Sequence, residues 1–390
     1  MKEVYIVQDN IISSLGFTTS ENMQQIEKGR IGFRITHDDT LFPNTIPISL
    51  VETETLEESF QMILDLYDVD AGPETYTRME KLFVVSIQRT LHSLPYDFKG
   101  KKTLLVISTT KGNINLLEES SQSHFNDKRI FLWEMGRIIQ EFFGFANPPL
   151  IISNACISGI MAIMTAARYL RSGLYDNAVV AGGDIITEFV ISGFQSFLSL
   201  SPTPCRPYDA ARDGLSLGEG CGTVVLTTDT DNYPTLPIKI TGTSVTNDAN
   251  HISGPSRTGE ELNLAIRQTL SEAAVTPDQV DYINAHGTAT TFNDEMEAKA
   301  FTLAGLLDTP INSLKGFWGH TLGAAGIIES IATIHSMMNN TLIQSAGFET
   351  LGVPEPINVI AKTTAKEIHT SLKTGSGFGG CNAVIMFQKG

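Results

Sequence analysis

Short apolar runs rich in β-branched residues alternate along the chain with segments of helical spacing. This pattern is typical of parallel strands covered by helices. In the first part of the chain, strands are predicted at residues 4–7, 102–107, 150–152, 178–181 and 222–226. The clearest helix has apolar residues spaced three and four apart between Ile160 and Leu170, and Gly173 marks its end. The pattern therefore predicts an α/β protein in which this helix is buried.

The pattern breaks at residues 227–237, where Asp, Thr, Asn and Pro accumulate, and then restarts. Residues 237–242 resemble the opening strand 4–7, and residues 281–284, followed by a loop and a helix, resemble the later strand and helix units. We interpret this as an internal duplication, with one half at residues 1–229 and the other at residues 230–390. Two similar halves would bring their active elements together near a shared pseudo-twofold interface.

Composition narrows the class of protein. The chain has 390 residues, of which 42% are hydrophobic and 18% charged, so it can bury a large core and is neither disordered nor fibrous. A net charge of -16 repels nucleic acid and anionic membrane surfaces. No apolar run is long enough for a signal peptide or a membrane span, so we expect a cytoplasmic protein. The four cysteines form no C-x-x-C pair, which argues against disulfides and a zinc site.

One cysteine lies between a predicted strand and the buried helix, in the segment SNACISG at residues 153–159. Free backbone N–H groups and the helix dipole would lower the pKa of the Cys156 thiol and favour the thiolate. The small residues Ala155, Ser158 and Gly159 leave room for a substrate carbonyl and for a backbone N–H that binds its oxyanion. The segment predicts a catalytic nucleophile, and the alternative is a buried structural cysteine.

Two histidines lie in glycine-containing loops of the second half. His286, in NAHGTAT at residues 284–290, follows a predicted strand and precedes a helix whose start is marked by Asn293, with Asp294 and Glu295 in its first turn. His320 precedes GAAG at residues 323–326, where small side chains would let the next helix pack closely against another element. Both positions are typical of catalytic residues, although a histidine bonded to the backbone would fit the same sequence.

Two further features accompany the histidines. Lys315 lies on a tight loop before His320, where its charge could orient a carboxylate such as Glu329, bias the proton positions of the histidines, or remain solvated. Near the C-terminus, the glycine-rich turn GSGFGGCNA at residues 375–383 leads into a predicted strand at residues 384–387. It lacks the lysine and the helix of a phosphate loop, so we expect an oxyanion donor or a gate.

In order and spacing, these four motifs resemble the elongating β-ketoacyl-acyl-carrier-protein synthases of types I and II, in the thiolase-like superfamily. The resemblance covers nearly the whole chain and includes SSLG at 13–16, VAGG at 180–183, RPYD at 206–209 and RDG at 212–214. It implies an α/β thiolase-like fold of five α-β-α-β-α layers built from two duplicated halves. The first half would carry Cys156 and the second the two histidines, and the protein would be a homodimer.

The resemblance implies a decarboxylative Claisen condensation. Cys156 would take an acyl chain from the phosphopantetheine of an acyl carrier protein, with the N–H groups of Cys156 and Phe378 as oxyanion hole. His286 and His320 would stabilise the enolate formed when a malonyl-carrier protein loses its carboxylate. No cofactor or metal is expected beyond this carried phosphopantetheine. The supporting positions are Lys315 and Glu329 beside the histidines, Thr288 and Thr290 near the pantetheine arm, and Phe378 as a gate.

Relatives with other activities differ at these positions. Initiating synthases of type III use Cys, His and Asn, and degradative thiolases need a second Cys in a Cys-x-Gly setting, whereas Asn382 and Ala383 follow Cys381 here. A non-catalytic chain-length-factor partner would lack the nucleophile, which this chain retains. Fatty-acid elongation and polyketide or aryl-polyene elongation use the same residues, so both stay open, as does a heterodimer with a Cys-less homologue.

Two features concern substrate and partner. Residues 109–113, TTKGN, replace a segment near the acyl pocket that is usually smaller or apolar, which leaves the acyl chain open. Acyl carrier proteins are acidic, as this chain is overall, so docking would need a local basic patch. The candidates for that patch are Arg78, Lys128, Arg129 and Arg206.

Overall fold

The computed structural model describes residues 2–36, 46–92, 94, 98–118, 125–231, 238–249 and 253–390. Within these ranges the strands are β1 Tyr5–Ile12, β2 Arg34–Thr36, β3 Ile46–Ser49, β4 Thr103–Ser108, β5 Leu150–Ile152, β6 Asn177–Asp184, β7 Leu217–Gly218, β8 Gly220–Thr227, β9 Ile238–Asn247, β10 Tyr282–Asn284, β11 Ile311–Asn312, β12 Thr341–Leu342, β13 Thr364–Ala365, β14 Thr370–Gly377 and β15 Cys381–Lys389. The predicted strands are therefore confirmed, and most are longer than the apolar runs that indicated them.

The α-helices of the described residues are α1 Thr19–Glu27, α2 Thr53–Tyr67, α3 Arg78–Leu91, α4 Leu132–Phe143, α5 Ser158–Arg171, α6 Glu188–Ser196, α7 Glu260–Ala273, α8 Thr291–Leu303, α9 Lys315–Trp318 and α10 Ala325–Met338. Short 3₁₀ turns lie at Pro73–Thr75, Ile114–Leu117, Asp127–Ile130, Pro277–Gln279 and Leu322–Ala324. None of the helices in the described ranges is long and apolar enough to cross a membrane.

Counted outward from the middle of the large sheet, its two sides have equivalent strand orders. One side of the large sheet runs β1-β8-β6-β4-β5 and the other β9-β15-β14-β10-β11, and the two sides meet where Tyr5 and Ile6 pair with Lys239 and Ile238. Corresponding pairs also share their direction: the first two pairs on each side are antiparallel and the last two parallel. The duplication inferred from the sequence is confirmed. The exact boundary at 229 and 230 lies between β8 and β9 and stays a prediction.

Five layers follow from how the helices cover these strands. Helices α2, α3 and α4 pack on the outer face of the first five strands, α5 and α10 lie between the two sets of strands, and α7 and α8 cover the second five. Three clusters of buried apolar side chains hold the layers together, represented by Phe83 and Val179, by Ile163 and Ile331, and by Ile266 and Ile283. The predicted α-β-α-β-α fold is therefore confirmed.

The two central helices touch backbone to backbone at a pair of glycines. Gly159 is the second residue of α5 and Gly326 the second residue of α10. A Cβ on Gly326 would lie 2.3 Å from the backbone nitrogen of Ile160, and one on Gly159 would lie 2.8 Å from that of Ile327. The close packing predicted from the GAAG run is confirmed, and it brings the starts of α5 and α10, with the loops before them, together.

Two local predictions were wrong. Helix α8 begins at Thr291 with Thr290 as its N-cap residue, so Asn293 lies inside the first turn and does not mark the start. Gly375 and Gly377 belong to β14, and only residues 378–380 form the turn. The reason is close approach of the central layer: a Cβ on Gly375 would lie 2.7 Å from the Ile160 side chain. These glycines make room for α5 and do not reverse the chain.

Candidate active site

Cys156 lies on a tight connection between β5 and α5. The preceding Ala155 has a φ of 44°, in the left-handed region that side chains other than glycine rarely adopt. Ser158 stabilises the turn, because its hydroxyl donates to the carbonyl of Ala155 and accepts the N–H of Asn154 at 2.8 Å. The turn places the Cys156 side chain at the junction of the two halves with 8% of it exposed. Such local strain is characteristic of functional positions.

The prediction that the Cys156 thiol has a lowered pKa was wrong. Burial raises the pKa of Cys156 to about 12, and nearby Cys381 adds to the rise. The positive charges of Lys315 and Lys111 and the N–H of Phe378 lower it, but not enough to offset burial. The resting site therefore holds a neutral thiol, whose proton leaves only when the sulfur attacks a substrate.

Two imidazoles lie beside this thiol. The Sγ atom of Cys156 and a ring nitrogen of each of His286 and His320 all lie within 4.8 Å of one another. The two rings are nearly perpendicular, at 84°, with centroids 5.2 Å apart. The structure therefore brings together the three residues that the sequence singled out, two of them from the second half.

His286 is oriented by Lys315. The Lys315 ammonium lies 3.3 Å from Nδ1 of His286 and donates to the His286 carbonyl at 2.6 Å. Burial, the Lys315 charge and His320 hold the pKa of His286 well below its usual range. Because Nδ1 faces a donor, the proton of the neutral ring sits on Nε2.

His320 has the same tautomer for a different reason. The backbone N–H of Leu322 donates to Nδ1 of His320 at 3.3 Å. Its Nε2 is buried and has no hydrogen-bond partner within the described part of the chain. Burial and the charges of Lys315 and Lys373 hold the pKa of His320 well below its usual range. Both histidines are thus neutral, with Nε2–H groups free to donate.

The Nε2–H tautomer of His286 and His320 affects whether these residues could bind a metal ion. A thiolate and two imidazoles are a donor set that zinc accepts. However, an imidazole whose Nε2 carries a proton cannot bind a metal through that atom, and Nδ1 of each ring already accepts a hydrogen bond. The arrangement favours two hydrogen-bond donors aimed at a substrate oxygen.

The loop that carries His286 is fixed by carboxylates from α8. Glu297 accepts the backbone N–H groups of His286 at 2.8 Å and Gly287 at 2.7 Å, and Asp294 accepts that of Thr288 at 3.0 Å. Burial raises the pKa of Asp294 to about 7. The sequence pattern indicated Asp294 only as part of a helix start and did not indicate Glu297. Their spacing of three residues on a helix that follows a catalytic loop was the available signal.

Three buried charged side chains lie in a row beneath His286. Glu329 lies between two lysines, with Oε1 2.7 Å from the Lys315 ammonium and Oε2 2.5 Å from that of Lys373. At most 1% of each side chain is exposed. Of the three possibilities that the sequence left for Lys315, the structure shows the contact with Glu329 and excludes a solvated side chain. Lys373 was missed, because a single lysine in a strand pattern gives no indication of which face it occupies.

Asp184 ties the two halves together next to the site. It lies at the end of β6 and accepts the N–H of Thr110 at 2.9 Å and the N–H of Gly323 at 2.7 Å. The Thr109 hydroxyl donates to it at 2.8 Å, and burial raises its pKa. The loop that carries Lys111 is thereby fixed against the loop that follows His320.

The expected substrate-facing residues surround this cluster. Phe378 is half-buried in the β14–β15 turn, and its ring lies 5.5 Å from that of Phe194 and 5.1 Å from that of Phe197. The hydroxyls of Thr288 and Thr290 are 2.7 Å apart. Their positions are compatible with the predicted gate and pantetheine contacts, whose roles stay predictions.

The four candidate docking residues fall into two groups. Arg78 binds Glu219 at 2.7 Å and Arg129 binds Glu80 at 2.5 Å, and both carboxylates are buried. These two arginines have structural partners that would compete with a carrier protein. Lys128 is exposed, and the Arg206 side chain is 34% exposed with a longer contact of 4.0 Å to Asp209, so the docking prediction now rests on these two residues.

Family comparisons agree with this geometry. The model of the β-ketoacyl synthase N-terminal domain matches residues 94–232, and that of the C-terminal domain matches residues 238–349. The chain is 34% identical over 269 residues to 3-oxoacyl-[acyl-carrier-protein] synthase 2 of Vibrio cholerae, a match that covers 63% of each chain. It is 31% identical over 266 residues to putative polyketide beta-ketoacyl synthase 1 of Streptomyces cyaneus, covering 64% of this chain and 62% of that protein. The matches thus span just under two thirds of these relatives' length.

Solved structures share the whole fold. A ketosynthase bound to its chain length factor, from Xenorhabdus doucetiae, superposes with a TM-score of 0.85 and 23% identity, covering 100% of this chain and 98% of that one. A β-ketoacyl synthase from Burkholderia phymatum gives a TM-score of 0.88 and 22% identity, covering 100% of both chains. The two domain models together match more than half of the chain, so it belongs to the β-ketoacyl synthase family and has the thiolase-like fold.

Proposed function

We propose that this chain catalyses the decarboxylative condensation of a malonyl group, held on an acyl carrier protein, with an acyl chain held on Cys156. The observation that carries the proposal is the meeting of one thiol with two neutral imidazoles whose Nε2–H groups are free to donate. A thiol alone would serve a hydrolase or an acyltransferase equally well. Two N–H donors beside it suit a reaction in which a second substrate develops negative charge on oxygen.

In the first half-reaction, the Cys156 sulfur attacks the carbonyl of an acyl thioester. The carbon–sulfur bond to phosphopantetheine breaks, and the thiol proton ends on the departing pantetheine sulfur, which conserves charge. The N–H of Phe378, which faces the Cys156 sulfur, and the N–H of Cys156 would hold the oxyanion. Both imidazoles already carry a proton on Nε2 and accept a hydrogen bond at Nδ1, so the thiol proton passes to the departing pantetheine sulfur as the carbon–sulfur bond breaks.

In the second half-reaction, a malonyl thioester loses carbon dioxide and leaves an enolate. The Nε2–H groups of His286 and His320 would donate to the enolate oxygen, which lowers the energy of the developing charge. The enolate carbon then attacks the acyl group on Cys156, a carbon–carbon bond forms, and the cysteine leaves as a thiolate that takes up a proton. The Lys315 ammonium keeps Nδ1 of His286 unprotonated, so the ring presents its Nε2–H.

The acyl chain and the partner subunit stay open within this proposal. Fatty-acid and polyketide enzymes both occur among the relatives, and the chemistry above serves either. A ketosynthase bound to its chain length factor has the same fold, which supports a heterodimer as the alternative to the homodimer proposed here. We propose Lys128 and Arg206 as contacts for the carrier protein, and cytoplasmic location stays an expectation.

The deciding experiment is intact-mass spectrometry after incubation with a panel of acyl-carrier proteins, saturated, polyunsaturated and aromatic. Wild type should gain one acyl mass, Cys156→Ala should gain none, and the preferred donor identifies the acyl class. Cys156→Gln, which has a side-chain carbonyl and cannot be acylated, should still decarboxylate malonyl-carrier protein while condensation ends. If wild type gains no acyl mass from any donor, alone or with a homologous subunit, the proposal is wrong.

A further inference from the structure

Lys373 lies at the centre of the site, although neither half-reaction above requires it. It is on β14, five residues before Phe378, the first residue of the β14–β15 turn, and its side chain is fully buried. Burying an ammonium is costly unless it is paired and hydrogen-bonded. Such a group inside an active site is a candidate for a role in the chemistry.

Two contacts of Lys373 mirror those of Lys315, and a third is a hydrogen bond to the Thr374 carbonyl at 2.8 Å on its own strand. Lys315 donates to the carbonyl of His286 at 2.6 Å, and Lys373 donates to the carbonyl of the preceding residue, Ala285, at 3.3 Å. Both ammonium groups bind Glu329, one on each oxygen. The two lysines therefore hold consecutive carbonyls of the loop that carries His286, with one carboxylate between them.

The charged groups that face Lys373 form a balanced set, and Asp294, which holds the same loop, is paired with Arg212 at 3.8 Å. Glu329 faces Lys373 from α10, Lys315 from α9 and Glu297 from α8, and the imidazoles of His286 and His320 lie on the substrate side. Among the described residues, Glu297 accepts hydrogen bonds only from neutral donors, namely two backbone N–H groups, the Asn293 amide and the hydroxyls of Tyr208 and Thr374. Two lysines thus offset two glutamates, and removing Lys373 would leave the surroundings of the histidines one charge more negative.

Resting on the proposed function, we propose that Lys373 is a positioning residue for the decarboxylation step. Together with Lys315 it balances Glu329 and Glu297 and holds the His286 loop, so that both imidazoles stay neutral and present N–H groups to the enolate.

The contacts of the two histidines explain why their imidazoles must stay neutral. A second proton on His286 would sit on Nδ1, against the Lys315 ammonium, and one on His320 would sit on Nδ1, against the Leu322 N–H. Either event would push the ring out of place. Without Lys373, the net negative surroundings would favour that second proton and would also oppose the negative charge of an enolate.

The sign of the pH dependence follows. Burial lowers the pKa of Lys373 to about 8, so the residue is mostly charged at pH 7 and loses its proton as the pH rises further. The decarboxylation rate of wild type should therefore fall as the pH rises through about 8. A variant without this ammonium should lack that decline, and its acid limb should move to higher pH because the histidines take up protons more readily.

The test measures malonyl-carrier-protein decarboxylation from pH 5 to 9, together with acyl loading by intact mass, in Lys373→Met and Lys373→Gln. Lys373→Gln keeps a polar donor if the apolar variant does not fold. The matched control is Lys362→Met, which removes an exposed charge elsewhere in the second half. We expect kcat at pH 7 to fall on the order of tenfold with KM nearly unchanged, acyl loading to persist, and the curves of variant and wild type to converge above pH 8.

The possible results of this test separate the role of Lys373 from the proposed function. A variant with the pH profile of wild type, or with decarboxylation and loading reduced equally, overturns the role of Lys373, because a purely structural lysine would affect both steps alike. A wild-type protein that neither loads an acyl group nor decarboxylates overturns the proposed function itself. The control separates these effects from a general change in net charge.

Discussion

The two halves of the molecule share their strands and differ in the loops that join them. Strand β5 passes to α5 through residues 153–157, whereas the corresponding β11 passes to α10 through residues 313–324. The short connection carries Cys156, and the long one carries Lys315 and His320. The strand β4 is followed by the loop of Lys111, and its counterpart β10 by the loop of His286. The comparison shows that the repeated strands build the frame and that unequal loops divide the chemistry between the halves.

The halves also differ in buried charge. The fifth residue of α5 is Ala162, and the fifth residue of α10 is Glu329, so the same helical position is apolar in one half and charged in the other. Burial keeps the Cys156 thiol neutral, while the histidines next to it lie beside a network of buried lysines and glutamates from the second half. Attack on a neutral thioester and stabilisation of an enolate make different electrostatic demands, and each half meets one of them.

The largest effect is expected from a substitution at the contact between α5 and α10, which joins the two halves. In Gly326→Ala, the new Cβ would lie 2.3 Å from the backbone nitrogen of Ile160, which cannot move without shifting α5. We expect a loss of at least about 3 kcal/mol in the free energy of unfolding, measured by chemical denaturation, or no folded protein. Gly193→Ala in α6 is the control, because nothing lies within 4 Å of its Cβ position. Equal stability of the two variants would show that the central helices are not locked together.

The second prediction separates the two half-reactions. His320→Ala removes one Nε2–H donor, so decarboxylation of malonyl-carrier protein should fall about 10²- to 10³-fold. Acyl loading of Cys156 should fall less, because the oxyanion of that step is held by backbone N–H groups. The exposed His369→Ala serves as the control. Comparable losses in both steps would contradict the division of labour between the halves.

The third prediction concerns a buried charge in the first half that has no part in the chemistry. Arg129→Met would leave the fully buried Glu80 without its partner, so we expect a loss of about 3 kcal/mol in the free energy of unfolding. The neighbouring Lys128→Met should leave stability unchanged, because Lys128 is exposed. If Lys128 contacts the carrier protein, this variant should instead raise the KM for it. Unchanged stability in Arg129→Met would return that arginine to the docking candidates.

Much of this organisation could be predicted from the sequence, for reasons tied to particular residues. Cys156, His286 and His320 stand in short motifs whose small neighbours indicate their purpose, and strand periodicity revealed the duplication. The raised pKa of Cys156 could not be predicted, because the position before a helix suggested a lowered value and only the packed structure shows that burial prevails. Lys373 and Glu297 were missed for a related reason: most of their partners lie on other elements, up to 89 residues away along the chain.

The smallest effect is expected from replacing Cys381, a substitution that tests whether nucleophilic chemistry is confined to the first half. Cys381 begins β15, and its thiol lies 3.4 Å from the carbonyl of Phe378, which is a packing contact beside the oxyanion turn. Cys381→Ser should therefore change acyl loading by no more than a few-fold, with a slight gain in Cys156 reactivity because Cys381 contributes to the raised pKa of that thiol. Intact-mass spectrometry should show one adduct in Cys381→Ser and none in Cys156→Ala. An adduct that survives in Cys156→Ala and disappears when Cys381 is also replaced would make Cys381 a second acyl acceptor and would assign part of the nucleophilic chemistry to the second half.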